Sequence, residues 1–288
     1  MEYLNIIYLN SLSCLIIILN GIAYRKLFNF NNITNNFLEA GIYGLISISL
    51  ITFIVNFVFK ISSTTSLFIL IIPILFVLNE IMSKKKQLLF HAVLLGLISS
   101  LIMLLDNTNR PDAGLYHLPF INIINDSKII IGSANLEFRF GHTSILQYLS
   151  ASFNNFIFSS NGILLPHANI FSIIILYFLK LIRENDTFLK IFFFVFLFNI
   201  LFSMNRYSGF GNDDPGHMFY FLALCNLVHF YIKGGEDKLK NIIFFSLYAF
   251  LIKPFLILVF IFPLILLLER KSKILTKTNI FSLIIILF

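Results

Sequence analysis

The chain has 288 residues, of which 58% are hydrophobic and only 12% are charged, and its mean hydropathy is +0.89. A soluble domain carries about 25% charged residues, so this composition excludes an ordinary soluble protein and indicates an integral membrane protein. The net charge of +7 does not indicate a nucleic-acid partner, because the basic residues lie in short scattered loops and form no continuous patch.

Apolar runs long enough to cross a bilayer recur along the chain. With about 20 apolar residues per crossing, we predict spans at roughly 3–24, 38–59, 64–82, 88–105, 163–180, 188–204 and 217–232. Two half-length runs, 241–252 and 254–268, meet at Lys253-Pro254, and a further run starts near residue 279. The predicted fold class is therefore all-α, a polytopic transmembrane helix bundle with about nine or ten hydrophobic segments, some half-length. Because the last run is shorter than a span, we expect 1–288 to be one transmembrane domain of a longer protein.

The basic residues predict an orientation for these spans. Cytoplasmic loops are rich in Lys and Arg, and most of the 21 basic residues fall in alternate loops. The loops assigned to the cytoplasm contain Arg25, Lys26, Lys84, Lys85, Lys86, Lys180, Arg183, Lys190, Lys233, Lys238, Lys240, Arg270, Lys271, Lys273 and Lys277. The segments 106–141 and 205–217 then lie on the non-cytoplasmic side.

The segment 106–141 is the longest interruption of the apolar composition and is dense in carboxylates and aromatic residues. We predict that it is an outer loop of the kind that carries catalysis. The following segment, 142–159, mixes apolar and polar residues at helical spacing. This pattern predicts an amphipathic helix that lies in the outer interface; the alternative is that the segment crosses the membrane and a neighbouring span is misplaced.

Three separate segments place charged side chains on the predicted outer face. The loop 106–141 contains the sequence DAGLYH, the segment 205–217 reads NRYSGFGNDDPGH, and Lys253 marks the break between the half-length runs. The candidate site residues are Asp112, Tyr116, His117, Arg139, Arg206, Asp213, Asp214, His217 and Lys253. Two simpler interpretations remain open: the paired Asp residues could cap the next helix, and the lysine could snorkel to the interface.

These residue types point to transfer of a sugar from a lipid-linked phosphosugar. A carboxylate can accept the proton of the acceptor, and Arg or Lys can stabilise the departing phosphate. We therefore predict Asp112 and His117 as catalytic residues. The predicted substrate-binding residues are Tyr116, Arg139, Arg206, Asp213, Asp214, His217 and Lys253. Asp112, His117 and Asp213 are also candidate ligands for a divalent cation, Mg²⁺ or Mn²⁺.

The pattern of these residues resembles that of a known superfamily. The chain is similar to the GT-C multi-pass membrane glycosyltransferases and, more closely, to a group of uncharacterised bacterial membrane proteins with GT-C-like topology. The matching positions, between roughly 85 and 270, are Asp112, Gly114, Tyr116, His117, Gly132, Asn135, Leu136, Arg139, Gly141, Asp213, Asp214, Pro215, His217, Lys253 and Pro254. The resemblance implies a bacterial inner-membrane enzyme that uses a polyprenyl-phosphate-linked sugar donor on the non-cytoplasmic side.

Other functions remain open at this point. A transporter or flippase of a polar or lipid-linked substrate would also use broken helices and charges near a cavity. It would, however, need ionisable groups along a path through the middle of the membrane, whereas most charges here cluster at one face. An O-antigen polymerase- or ligase-like protein, which also carries a large outer loop, is a third possibility, and a non-enzymatic membrane scaffold is a fourth.

Overall fold

The computed structural model describes residues 2–30, 33–34, 36–105, 111–135, 137–142, 144–203 and 211–269. Within these ranges the fold is an all-α helical bundle without β-strands, which confirms the predicted fold class. The α-helices are α1 (Glu2–Leu27), α2 (Phe37–Asn56), α3 (Ser63–Leu75), α4 (Leu78–Met82), α5 (Lys85–Leu105), α6 (Leu118–Asp126), α7 (Ile145–Ala151), α8 (Leu165–Glu184), α9 (Thr187–Ser203), α10 (Asp213–Lys233), α11 (Glu236–Ile252) and α12 (Ile261–Glu269). A π-helix (Ala113–His117) precedes α6, and 3₁₀-helices cover Ser133–Asn135, Phe138–His142, Ser160–Leu164 and Pro254–Phe260.

Four of the described helices are long and apolar enough to cross a membrane, namely α1, α2, α5 and α8. A helix of 20 residues is about 30 Å long, which matches the hydrocarbon core of a bilayer. Three apolar segments are shorter: α3, α9 and the continuous stretch Pro254–Glu269. These helices identify the chain as a membrane protein.

The predicted span 64–82 is wrong as a single helix. It is divided into α3 and the short α4, and Pro73 lies inside the last turn of α3. Proline lacks the backbone N–H that a helix interior needs and its ring clashes with the preceding turn. The break three residues after Pro73 is the expected consequence.

The centre of the bundle is formed by close contact between α1 and its neighbours. A Cβ atom built on Gly44 of α2 would lie 1.8 Å from the carbonyl oxygen of Ile17, and one built on Gly21 would lie 1.6 Å from that of Ala40. Only glycine therefore fits at either position. Small residues at a helix crossing let two backbones approach, which is how helices associate where no water is present to drive them together.

The amphipathic helix predicted over 142–159 is much shorter than expected. The helix α7 covers only Ile145–Ala151, and all seven of its residues are buried. It packs against α2, α6 and α8, so no apolar face is left for a lipid interface. At about 10 Å, α7 is also too short to cross a bilayer, which agrees with the prediction that this segment is not a span.

Charged residues lie at both ends of the bundle. One end, which we call the basic end, contains Arg25, Lys26, Lys84, Lys180, Lys233, Lys238 and Lys240, linked by contacts such as Lys26 with Glu80, Lys233 with Asn185 and Lys240 with the carbonyl of Asn29. The other end, which we call the site end, contains His117, Asp213 and Lys253. Glu269 accepts a hydrogen bond from Tyr231, which lies near the basic end. The stretch 254–269 therefore runs back toward the basic end, antiparallel to α11, with Lys253 at the turn.

Candidate functional site

The sequence DAGLYH folds into the π-helix that leads into α6. Asp112 occupies the position before the π-helix and is exposed, while Tyr116 is half-buried and His117 is buried. Pro119 lies in the first turn of α6 and has no backbone N–H to donate to the π-helix that directly precedes it. Single π-turns are rare and occur frequently at functional sites, so the local backbone agrees with the importance that the sequence pattern gives to this segment.

The segments around residues 112, 213 and 253 meet at the site end. Lys253 donates a short hydrogen bond to the Oδ1 atom of Asp213, and the two side chains form an ion pair. Burial raises the pKa of Tyr116, and the negative charges of Asp112 and, more weakly, of Asp213 raise it further. Asp213 therefore lies near both Lys253 and Tyr116, as the sequence predicted for these three segments.

The loop that contains Arg139 folds back onto DAGLYH. The guanidinium carbon of Arg139 lies 5.2 Å from the centroid of the Tyr116 ring and 5.5 Å from that of Phe138. A cation over an aromatic face at this distance is attracted by the negative face of the ring. The backbone N–H of Arg139 donates to the Oε1 atom of Glu137 at 3.3 Å. This arrangement adds a second positive charge to the site.

The side chain of Gln147 determines which ring nitrogen of His117 carries the proton. The backbone N–H of Ser144 donates to the Oε1 atom of Gln147 at 2.9 Å in a capping box at the start of α7, so the amide NH₂ of Gln147 points the other way. That NH₂ lies 3.1 Å from the Nδ1 atom of His117. Nδ1 must therefore accept, and the proton of the neutral imidazole is on Nε2.

Burial keeps His117 neutral. Its removal from water lowers the pKa of the imidazole to about 4, and the opposing effect of the charges on Asp112 and Asp213 is smaller. At neutral pH the Nε2–H group is consequently a hydrogen-bond donor that carries no charge. Sequence reasoning missed the role of Gln147, although the S-x-x-Q spacing of Ser144 and Gln147 is the signature of a capping box.

The metal site predicted for Asp112, His117 and Asp213 does not fit the geometry. Among the described residues, no three His, Cys, Asp or Glu side chains are grouped so that they could hold a metal ion. A metal on Nε2 of His117 would also move the proton to Nδ1, where it would face the NH₂ of Gln147. The described side chains of Asp112, His117 and Asp213 are therefore not grouped as a metal site, and the divalent cation stays a prediction.

The paired Asp residues belong to a helix and not to a loop. α10 starts at Asp213, four residues before the predicted span, so Asp213 and Asp214 both lie in its first turn. Negative charge in the first turn of a helix is stabilised by the helix dipole. The simpler interpretation of the Asp pair is therefore supported through charge and not through a side-chain cap hydrogen bond. Asp213 additionally pairs with Lys253, and its side chain remains 65% exposed.

The site end also accounts for one glycine of the NDDPGH sequence. A Cβ atom on Gly216 would lie 3.0 Å from the Cδ1 atom of Leu256 and 3.5 Å from Cβ of Lys253. An alanine there would make the Leu256 side chain shift by a few tenths of an ångström and would be in ordinary contact with Lys253. The next residue, His217, is exposed, and its ring stacks on that of Phe221 within α10, with 6.5 Å between the ring centroids.

The structure thus brings most of the predicted residues to one end of the bundle. The residues that lie near one another are Asp112, Tyr116, His117, Arg139, Asp213 and Lys253. Asp214 and His217 share the first turns of α10 with Asp213. Arg206 lies outside the described residues, as do Asp106 and Arg110 of the predicted loop.

A cavity of about 210 Å³ lies between α6, the segment after it and the end of α2. It is lined mainly by apolar side chains of α6 and of the segment after it, including Phe120, Ile124 and Ile130, with Lys128 at its edge and Phe140, the neighbour of Arg139, on one wall. None of the described candidate site residues lines this cavity.

The fold and the site together define an all-α membrane protein with a cluster of carboxylates, cations and a neutral histidine at one end. Comparison with known protein families assigns the chain more specifically. Residues 4–288 match the family described as Domain of unknown function (DUF8201), and the chain belongs to that family. No curated protein and no solved structure matches the chain.

Proposed function

We propose that this protein is a membrane glycosyltransferase of GT-C type in the bacterial inner membrane. It would transfer a sugar from a polyprenyl-phosphate-linked donor to a cell-envelope acceptor on the non-cytoplasmic side. The observation that carries the proposal is the position of Asp213, which pairs with Lys253 and also lies near Tyr116 and His117. Carboxylates and cations from distant parts of the sequence thus face one surface.

The proposed orientation follows from the distribution of charge. Lys and Arg accumulate at the basic end, away from Asp112 and Asp213. By the positive-inside rule that end is cytoplasmic. The site end then faces the non-cytoplasmic side, where lipid-linked donors present their sugars to envelope acceptors.

Each side chain has a role that its surroundings support. Asp112 is exposed and can reach an acceptor hydroxyl as a general base. Lys253 and Arg139 can hold the phosphate of the donor, and Lys253 would exchange its bond with Asp213 for a phosphate oxygen. His117 keeps an uncharged Nε2–H donor buried beneath this surface, because Gln147 occupies Nδ1. Tyr116 supplies an aromatic face and a hydroxyl.

The first test is the substitution Asp112→Asn. Removing a general base typically costs about 10²–10⁴-fold in rate, and an exposed Asn should leave folding and insertion intact. Transfer is measured in reconstituted vesicles with a radiolabelled polyprenyl-phosphate sugar. The matched control is Asp126→Asn, which removes an exposed carboxylate at the end of α6 and should keep full activity.

Comparison of the two variants shows whether Asp112 itself takes part in the reaction. Full transfer by the folded Asp112→Asn variant would remove Asp112 from the reaction. An equal loss in both variants would mean that negative charge on this surface, and not one base, supports activity.

One observation favours the transporter alternative. Arg25 and Glu39 form a buried ion pair, 3.6 Å between nitrogen and oxygen, and buried charges in a membrane bundle often mark a transport path. Arg25, however, lies in the last turn of α1 and Glu39 in the first turn of α2. The pair thus lies at a bundle end and not at mid-depth, so it does not mark a path through the membrane.

A further inference from the structure

A second cavity lies at the basic end, far along the bundle from the candidate site. Its volume is about 410 Å³, and it opens between the first turns of α2 and α5 and the last turns of α8. α8 packs on both α2 and α5, whereas α2 and α5 have few contacts with each other. The cleft is the space that remains where two helices diverge from a shared neighbour.

The cleft is polar at its mouth and apolar at its depth. On α5, Gln87, His91 and Leu94 follow one another at helical spacing from the basic end inward. On α8, the same order in the reverse chain direction is Arg183, Lys180 and Leu176. Because the two helices run antiparallel, the polar residues share one depth and the leucines share another.

The cations of the cleft are available to an anion. Arg183 is exposed and has no ion pair among the described residues. Lys180 lies 4.0 Å from Glu184 in the next turn, and both side chains are partly exposed. A pair this long and this exposed is worth little, so a phosphate group could replace the carboxylate as the partner of Lys180. The apolar wall is completed by Phe90 and Leu179, which are both exposed.

We propose that this cleft binds one anionic phospholipid. The headgroup phosphate would accept hydrogen bonds from Arg183 and Lys180, and an acyl chain would follow Leu94 and Leu176 into the bundle. Charge complementarity and the change from polar to apolar lining with depth identify this ligand, because basic pockets between membrane helices on the cytoplasmic side suit anionic headgroups. The proposal does not depend on the glycosyltransferase function.

Native mass spectrometry of the purified chain tests the site. The protein is released from vesicles of phosphatidylcholine mixed with phosphatidylglycerol and is then titrated with phosphatidylglycerol in detergent. We expect one lipid to bind before any others. Each cation near the membrane surface contributes about 1 kcal/mol, so Lys180→Gln and Arg183→Gln should each weaken binding about fivefold, and the double variant about thirtyfold.

Two matched variants give the comparison. Lys190→Gln removes an exposed cation in the first turn of α9, outside the cleft, and should leave the affinity unchanged. Glu184→Gln removes the competing carboxylate and should strengthen binding severalfold. Because these side chains are all at least partly exposed, the unfolding temperature of each variant in neutral lipid should match that of the original chain.

Three results would overturn the proposal. An equal loss in Lys190→Gln would mean that the lipid responds to general surface charge. Equal affinity for phosphatidylcholine would remove the requirement for an anionic headgroup. Displacement of the lipid by inorganic phosphate at the same concentration would show that the cleft takes a free anion and that the acyl chain contributes nothing.

Discussion

Single residues at the site end show how burial and hydrogen bonding decide chemistry that the sequence leaves open. His117 next to two carboxylates could be a charged partner, a metal ligand or a neutral donor. Gln147, fixed by its bond to the backbone of Ser144, selects the neutral tautomer with the proton on Nε2. The sequence showed both residues, but their contact joins positions 30 residues apart, and local patterns carry no information on such pairs.

The protonation of His117 gives a prediction on pH. The pKa of the folded state is about 4, below the ordinary value of about 6.5 for an unfolded chain. Between these two values the unfolded state binds a proton that the folded state does not bind. The contribution of His117 to stability is therefore complete above pH 6.5 and is lost as the pH falls from 6.5 to 4.

The imidazole signals of His117 in an isotope-labelled protein, assigned with the variant His117→Gln, should titrate with a midpoint of about 4. The unfolding temperature of the original chain should also fall more steeply below pH 6.5 than that of the variant. A midpoint near 6.5 would contradict the buried, neutral histidine.

At the scale of helices, hydropathy predicted most element positions but not their ends. The runs of apolar residues located α1, α2, α5, α8 and α9 within a few residues, because the length of a span is set by the bilayer. The ends depend on local chemistry: Pro73 breaks α3, and the acidic pair draws the start of α10 back to residue 213. The burial of α7 could not be predicted, since its polar residues Gln147 and Ser150 contact His117 and His167, which are distant in the sequence.

Close packing of α1 and α2 predicts a loss of stability in Gly44→Ala. The new methyl group would overlap the carbonyl oxygen of Ile17, so the two helices must separate. Overpacking of this kind costs about 1–3 kcal/mol, measured as a lower free energy of unfolding in detergent. The control is Gly211→Ala, because no described atom lies within 4 Å of a Cβ at that position; equal effects in the two variants would contradict close packing at the crossing.

At the scale of the whole molecule, a buried polar network holds the basic end together. Asn241 of α11 donates to Glu39 at 2.6 Å and to Asn226 of α10 at 3.1 Å, and it accepts from Tyr43 at 2.6 Å. With the pair between Arg25 and Glu39, the network joins α1, α2, α10 and α11. The distribution of basic residues in the sequence led to the prediction that Arg25 lies in a loop. Composition alone cannot distinguish an exposed charge from one that is buried and paired.

This network fixes the hairpin of α10 and α11 against α1 and α2, and the same hairpin carries Asp213 and Lys253 at its opposite end. The position of the candidate site thus depends on packing along the full length of the bundle. The separation of the two ends also makes the orientation of the whole molecule decisive for the proposed function.

Labelling with a membrane-impermeant maleimide tests that orientation most directly. The natural cysteines, Cys14 and Cys225, are buried and are replaced by Ala before single cysteines are introduced. In intact cells, Asp112→Cys and Asp213→Cys should both react, whereas Lys190→Cys should react only after the membrane is made permeable. Reaction of positions 112 and 213 from opposite sides, or protection of both in intact cells, would contradict a single site on the non-cytoplasmic face.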